Sequence, residues 1–96
     1  MPFKPNDTRV VNRYKEPFDV YIGRGSPFGN PFPITATQSR IQVILDYKDY
    51  LNERAETEPF FRKQLLGLRG KTLGCYCKPL PCHGDVIAQW LRDHPA

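Results

Sequence analysis

Residues 71–85, KTLGCYCKPLPCHGD, change from a strand pattern to a helix pattern, and the other elements are arranged around this change. Residues 71–77 predict a β-strand, in which Cys75 and Cys77 share one face because strand side chains alternate. The prolines that follow end the strand and introduce a helix from about Pro81. We therefore expect one strand that leads directly into the last helix.

The last predicted helix carries one apolar face. Cys82 and His83 precede members of this face at helical spacings, so both side chains are expected to point inward. Ligands bind at the carboxyl ends of strands in open α/β sheets. The three cysteines and His83 are therefore expected to meet at such an end, beside a helix N-terminus. The apolar face consists of Val86, Ile87, Trp90 and Leu91.

The upstream sequence predicts two short strands and a helix. Residues 8–12 (TRVVN) and 19–23 (DVYIG) are β-branched and aromatic runs bounded by polar or turn residues, a pattern typical of strands. A helix is expected from Thr37, with Thr37 or Ser39 as its N-cap. Its predicted inward stripe comprises Ile41, Ile44, Leu45, Lys48 and Leu51.

A second helix is expected to begin at Thr57, with Glu58 and Pro59 in its first turn, and to end at Gly67 and Gly70. A proline in the first turn supports this start, because its missing N–H has no partner there in any case. The side chains expected to point inward are Phe60, Phe61, Leu65 and Leu66.

The order β, β, α, α, β, α predicts an α/β fold, with a small sheet of about three strands flanked by three helices. Two helices precede the last strand as a crossover, so this strand is expected to run parallel to a neighbour. Ninety-six residues hold one modest core, and we expect residues 1–96 to form a single domain.

Composition and charge indicate the cellular location and the classes of partner to expect. The chain is 40% hydrophobic and 25% charged, as globular proteins are. It has neither a charged-then-apolar leader nor an apolar run long enough to span a bilayer, which predicts a cytoplasmic protein with no membrane partner. The net charge of +4 would suit a nucleic-acid partner. Lysine and arginine are scattered among acidic residues, however, which favours a mixed solvated surface.

Residues 24–33, RGSPFGNPFP, predict an ordered loop, because glycine and proline exclude regular structure while two phenylalanines require packing. Arg24, Ser26 and Asn30 are candidate ligand-binding residues in this loop, since arginine and hydroxyl groups contact phosphate or carboxylate. Arg13, at the end of the first strand, is a candidate second anion contact. The alternative is a loop whose phenylalanines close one end of the core.

Two interpretations of residues 74–85, the cysteine stretch, give it a structural role only. Free cysteine packs as a small hydrophobic residue, so the thiols could be inert core members. Alternatively, Cys75, Cys77, Cys82 and His83 form a Cys₃His zinc site, which would make zinc the cofactor and stabilise a small core. The spacing argues against zinc, because paired zinc ligands usually lie two to four residues apart on a turn. Here one residue separates Cys75 from Cys77 on a predicted strand, and Cys82 and His83 are adjacent.

The third interpretation is a functional pocket. A thiol at a helix N-terminus beside an imidazole is activated as a nucleophile, and free N–H groups at the same end can hold an anion. Cys82, His83 and Asp85 are then the candidate catalytic residues, with Cys82 as the thiol and the other two as acid, base or orienting group. Asp85 has the alternative role of capping its own helix.

The segments VVNRYKEPFDVYIGRGSPFGNPF and LRGKTLGCYCKPLPCHGDVI resemble a family of bacterial and phage proteins, the domain of unknown function 4326. The resemblance extends from about residue 8 to residue 90 and includes the CxC, PCHGD and GNPF elements in this order. The family usually has tryptophan where this chain has Tyr76, and often proline where it has Gly25. The resemblance implies that the loop and the cysteine stretch form one unit, and it implies no activity.

Two function hypotheses follow. The first is a small-ligand-binding domain with a pocket for an anionic or nucleotide-like ligand. The pocket is formed by the cysteine stretch and by residues 24–33, the glycine-rich loop, and whether the domain is an enzyme is left open. The second is a zinc-stabilised module that binds nucleic acid or a protein partner. A phage-encoded effector of a host protein is a further alternative, and the oligomeric state is also left open.

Overall fold

A computed structural model of the chain describes residues 8–23, 25–32, 39–76, 78, 80 and 82–94. The elements follow the predicted order, which confirms the small α/β fold. None of the helices in this part of the chain is long and apolar enough to cross a membrane. The strands are β1 (Arg9–Asn12), β2 (Val20–Tyr21) and β3 (Thr72–Cys75), and the helices are α1 (Arg40–Thr57), α2 (Pro59–Leu66) and α3 (His83–Asp93).

The three strands form a sheet in the order β1-β3-β2, with both pairs parallel. Leu73 pairs with Val10 on one side and with Val20 on the other. The prediction that the last strand is parallel to a neighbour is confirmed, and β3 has two such neighbours. Each strand is shorter than its sequence pattern predicts, and Cys77 lies outside the described residues. The carboxyl end of β3 therefore lies at the centre of one edge of the sheet.

The connection from β1 to β2, residues 13–19, passes across β3 on one face of the sheet. Gly74 in β3 allows this crossing, because a Cβ atom there would lie only 2.6 Å from the ring of Phe18. The backbone N–H of Thr72 donates to the Asp19 carboxylate at 2.8 Å, and Asp19 N–H donates to the Thr72 carbonyl at 2.8 Å. The other face of the sheet packs against the helices.

Helix α3 lies close to the sheet at its first turn. A Cβ atom on Gly84 would lie 2.7 Å from Ile22 Cδ1 and 2.8 Å from Val10 Cγ1, so only glycine permits this approach. The core between the sheet and the helices comprises Ile22, Phe28, Tyr47, Leu51, Ala55, Phe61, Leu65, Leu68, Leu73, Cys75, Cys82, Ile87, Trp90 and Leu91.

Helix α1 begins at Arg40 after Ser39, one of the two predicted N-caps, whose hydroxyl accepts a hydrogen bond from Gln42 N–H at 3.1 Å. The other predicted N-cap, Thr37, lies outside the described residues. Its predicted inward stripe is wrong except at Leu51, since Ile41, Leu45 and Lys48 are exposed and Ile44 is half-buried. The helix is rotated because Tyr47 packs inward and its hydroxyl donates to the Phe28 carbonyl at 2.7 Å. The residues of α1 that are buried are Val43, Tyr47, Leu51 and Ala55.

Helix α2 begins at Pro59 and not at Thr57, which is the last residue of α1. A proline disfavours helical backbone in the residue before it, and Glu58 accordingly has φ −122° and ψ 92°. Gly67 caps the helix as predicted. The expectation that Phe60 and Leu66 point inward is wrong, because a helix of eight residues buries only one narrow row, which consists of Phe61 and Leu65.

Candidate functional site

Two of the three cysteines meet where β3 and α3 approach each other. Cys75 is the last residue of β3, and Cys82 is the N-cap of α3. Their Sγ atoms are 3.0 Å apart, and both residues are 1% exposed. His83, the first residue of α3, is 8% exposed, so the predicted inward orientation of Cys82 and His83 is confirmed. The elements of the fold, and not a flexible loop, position these side chains.

The His83 ring connects the Cys82 thiol to the sheet. Its Nε2 lies 2.6 Å from the Ile22 carbonyl oxygen, which can only accept, so Nε2 carries the proton. In the neutral imidazole the lone pair of Nδ1 then faces Cys82 Sγ at 3.6 Å, and the ring of Tyr47 lies edge-on with centroids 5.1 Å apart. The thiol, the imidazole and the carbonyl thus form one chain, and the catalytic roles expected for Cys82 and His83 stay predictions.

The first turn of α3 adds contacts to Cys82 from both sides. Gly84 N–H donates to Cys82 Sγ at 3.4 Å, and Cys82 N–H donates to the Asp85 carboxylate at 3.0 Å. Lys78 forms an ion pair with the other oxygen of that carboxylate. The structure therefore gives Asp85 the capping role that the sequence left as an alternative, and a catalytic role for Asp85 stays a prediction.

The geometry around the two sulfurs differs from that of a zinc site. Two thiolates bound to one tetrahedral zinc at about 2.3 Å each lie about 3.8 Å apart, whereas Cys75 and Cys82 are separated by 3.0 Å. Among the described residues, no group of three or more potential ligands is placed to hold a metal ion. Cys77 lies outside those residues, so the Cys₃His set with His83 stays a prediction.

The glycine-rich loop forms a separate cleft. Ser26 and Asn30 line a cavity of about 420 Å³ together with Tyr50 and Arg54 of α1, and its lining includes neither His83 nor a cysteine. The Ser26 hydroxyl donates to the Gly23 carbonyl at 2.7 Å, and the Asn30 amide donates to the Val43 carbonyl at 3.1 Å. Both predicted ligand contacts thus hold the loop in place, while Arg24 lies outside the described residues.

Arg13 lies among aromatic rings at the carboxyl end of the sheet. We call Arg13, Tyr14, Tyr21 and Tyr76 the Arg13–tyrosine cluster. Its guanidinium carbon is 4.8 Å from the ring centroid of Tyr21, 5.1 Å from that of Tyr76, 5.6 Å from that of Tyr14 and 5.9 Å from that of Phe18. One guanidinium nitrogen donates to the Tyr76 hydroxyl at 3.0 Å. The cluster lies on the face that Phe18 covers, opposite the face that carries the cysteines.

The tyrosines of this cluster interact with one another. The Tyr76 ring centroid is 5.3 Å from that of Tyr14 and 5.9 Å from that of Tyr21. Hydrogen bonds from the Tyr21 and Tyr14 hydroxyls lower the pKa of Tyr76, and the positive charge of Arg13 adds to this effect. The pKa of Tyr21 is raised, first by desolvation, and that of Tyr14 is raised, first by its hydrogen bond to Tyr76.

We expect Tyr76 to ionise at a lower pH than an ordinary tyrosine, because its phenolate is the form that its neighbours stabilise. Spectrophotometric titration of the phenolate band should show one tyrosine ionising below the usual range near pH 10. Tyr76→Phe should remove this early component. Tyr50→Phe serves as the control and should leave it in place; an early component that survives in Tyr76→Phe would contradict the assignment.

The sequence indicates Arg13 as a candidate site residue but does not indicate its aromatic neighbours. Strand alternation puts Tyr76 and Gly74 on the face opposite Cys75, and the missing side chain of Gly74 is the signal that an aromatic ring can cross the strand there. The Ile22 carbonyl that orients His83 could not be found, because a backbone oxygen carries no sequence signal.

The family model of the Domain of unknown function (DUF4326) matches residues 6–93, and the chain belongs to this family. The resemblance inferred from the cysteine and loop motifs is therefore confirmed. The chain is also 45% identical over 80 residues to the "Uncharacterized 12.4 kDa protein in nrdA-td intergenic region" of Enterobacteria phage T4, a match that covers 83% of this chain and 73% of the phage protein. No solved structure matches the chain.

Proposed function

We propose that the chain binds a nucleotide-like anionic ligand, a nucleobase with its phosphate, on the Arg13–tyrosine cluster. The observation that carries this proposal is that a guanidinium and three tyrosine rings converge at the carboxyl end of a parallel sheet, where α/β folds bind ligands. The proposed ligand class is the one expected from the sequence, but the proposed site lies on the sheet face that Phe18 covers.

Exposed aromatic rings support the nucleobase part of the proposal. Tyr14 is 76% exposed and Tyr76 is 48% exposed, although both are large and partly apolar. Bases stack on such rings in many proteins that bind nucleotides or unpaired strands. The mutual contact of Tyr14 and Tyr76 holds these rings in place before a base arrives.

The charge of Arg13 supports the phosphate part. In the part of the chain that the structure describes, Arg13 forms no ion pair with a carboxylate, and its guanidinium is held by aromatic rings and by the Tyr76 hydroxyl. A cation fixed in this way keeps N–H donors for a phosphate oxygen. Lys15 is exposed two residues later and adds a second positive charge.

Cys82 and His83 lie on the opposite side of β3 from this cluster, and Cys82 is buried. The proposed binding therefore does not require their chemistry, and their catalytic role stays a prediction. A free nucleotide and an unpaired nucleic-acid strand present the same base and phosphate, so the experiment must distinguish these two sources.

The test is isothermal titration of the protein with adenosine monophosphate, adenosine and a short oligothymidylate. We expect wild type to bind at least one phosphate-bearing probe, and Arg13→Gln to weaken that binding about tenfold because a charged hydrogen bond is lost. Stronger binding of the oligonucleotide would identify a strand as the ligand, and stronger binding of the monophosphate a free nucleotide.

Arg92→Gln is the matched control, because Arg92 is an exposed arginine on α3 that contacts Gln89 and lies outside the cluster. It should bind as wild type does. The proposal is wrong if wild type binds none of the three probes, or if both arginine variants lose affinity equally.

A further inference from the structure

We infer that Cys75 and Cys82 are a redox pair, which a hydroperoxide oxidises to a reversible disulfide. The inference is independent of the proposed ligand site, because the two sulfurs lie on the helix-facing side of the sheet. It assigns a modification site to residues that the sequence suggested as metal ligands or as a nucleophile.

The distance between the sulfurs favours this pairing over coordination or simple packing. The Sγ atoms are 3.0 Å apart, and a disulfide bond of about 2.05 Å requires them to approach by roughly 1 Å more. One sulfur belongs to the end of a central strand, and the other belongs to the N-cap of a helix docked on that sheet. Both atoms are therefore held next to each other by the fold.

Cys82 is the thiol that reacts first. Gly84 N–H points at its Sγ from the helix N-terminus, and His83 Nδ1 lies 3.6 Å from the same atom. An N–H donor and a base that accepts the thiol proton both favour the thiolate, which is the reactive form. Cys75 is then the thiol that closes the disulfide.

The reaction balances with a hydroperoxide as the oxidant. The Cys82 thiolate attacks one peroxide oxygen, the O–O bond breaks, and the products are the Cys82 sulfenic acid and a hydroxide that takes the proton held by His83. The Cys75 sulfur then attacks the Cys82 sulfur, the S–O bond breaks, and the thiol proton of Cys75 leaves with that oxygen as water. For hydrogen peroxide, two thiols and one peroxide become one disulfide and two waters.

Burial selects the oxidant. Cys75 and Cys82 are each 1% exposed, so a bulky disulfide cannot reach either sulfur in the folded protein. Hydrogen peroxide is small and uncharged, and it needs only a brief local opening. Reaction with hydrogen peroxide should therefore be faster than reaction with oxidised glutathione, by a larger factor in the folded protein than in the urea-unfolded protein.

The experiment uses the Cys77→Ser protein, which retains only the two proposed partners. After exposure to hydrogen peroxide we expect both thiols to disappear, the mass to fall by about 2 Da, and dithiothreitol to reverse both changes. Closing this short loop should raise Tm by about 10 °C. Cys75→Ser/Cys77→Ser is the control, which should gain oxygen mass on Cys82 and show no such rise.

Wild type provides a second measurement that does not depend on the folding of these variants. Differential alkylation of the peroxide-treated chain should leave Cys77 as the one free thiol. Alkylation that leaves Cys75 or Cys82 free, retention of both thiols in the folded variant, or about one zinc per chain protecting both sulfurs until chelation would each overturn the inference.

Discussion

Gly84→Val is expected to lower the free energy of unfolding by about 3 kcal/mol or more, which corresponds to a fall in Tm of more than about 10 °C. A Cβ atom at this position already lies 2.7 Å from Ile22 Cδ1 and 2.8 Å from Val10 Cγ1, and valine adds two further methyl groups. The first turn of α3 must then move away from the sheet. The movement would also separate His83 Nε2 from the Ile22 carbonyl and so expose the two sulfurs.

Thermal and urea unfolding measure this effect, and the rate of thiol alkylation in the folded protein reports the exposure of Cys82. Gln89→Val is the matched control, because it places the same β-branched residue on the exposed face of the same helix. We expect the control to cost less than about 1 kcal/mol, because it loses only helix propensity and two exposed side-chain hydrogen bonds, to Asp93 and from Arg92. A Gly84→Val protein as stable as the Gln89→Val protein would mean that α3 does not dock closely on the sheet.

The junction of β3 and α3 could be predicted from the sequence because it depends on local periodicities. Strand alternation separates Cys75 from Tyr76, and helix phase turns Cys82 and His83 inward. Both inferences need only the spacing of neighbouring residues, and the burial of these residues agrees with both.

The sheet order β1-β3-β2 could not be predicted, because the paired residues are far apart in the chain, Arg9 with Thr72 and Val20 with Leu73. The same applies to the rotation of α1, since Tyr47 becomes a core residue through a hydrogen bond to the backbone of Phe28. Ile41 and Leu45 have the spacing expected of an inward stripe. Exposing single apolar residues on a helix surface costs little free energy, so this spacing does not exclude a helix that turns another face towards the core.

The Arg13–tyrosine cluster follows from the strand order. Arg13 directly follows β1, Tyr21 ends β2 and Tyr76 directly follows β3, so these three side chains meet only when β3 lies between the other two strands. The sequence predicts Arg13 directly after the first strand, Tyr21 within the second and Tyr76 within the third. The convergence of the three ends appears only in the folded chain.

Tyr76→Ala is expected to weaken binding of the nucleotide or oligonucleotide that wild type binds by about tenfold or more, since stacking of one base on one aromatic ring contributes about 1–3 kcal/mol. Tyr76 is the member of the cluster in contact with Tyr14, Tyr21 and the Arg13 guanidinium. Its removal therefore takes away one stacking surface and loosens the cation that faces the phosphate. Isothermal titration with the best phosphate-bearing probe measures the change.

Three variants separate stacking from general damage. Phe60→Ala removes a ring that is 75% exposed on α2, away from the cluster, and should leave affinity unchanged. Tyr76→Phe keeps the ring and loses the hydroxyl, so it should lose less affinity than Tyr76→Ala. Tyr76→Trp should bind at least as tightly as wild type, because indole offers a larger face for a base. Equal losses in Tyr76→Phe and Tyr76→Ala would assign the effect to the hydroxyl and Arg13, and would remove the nucleobase from the proposal while keeping the anion.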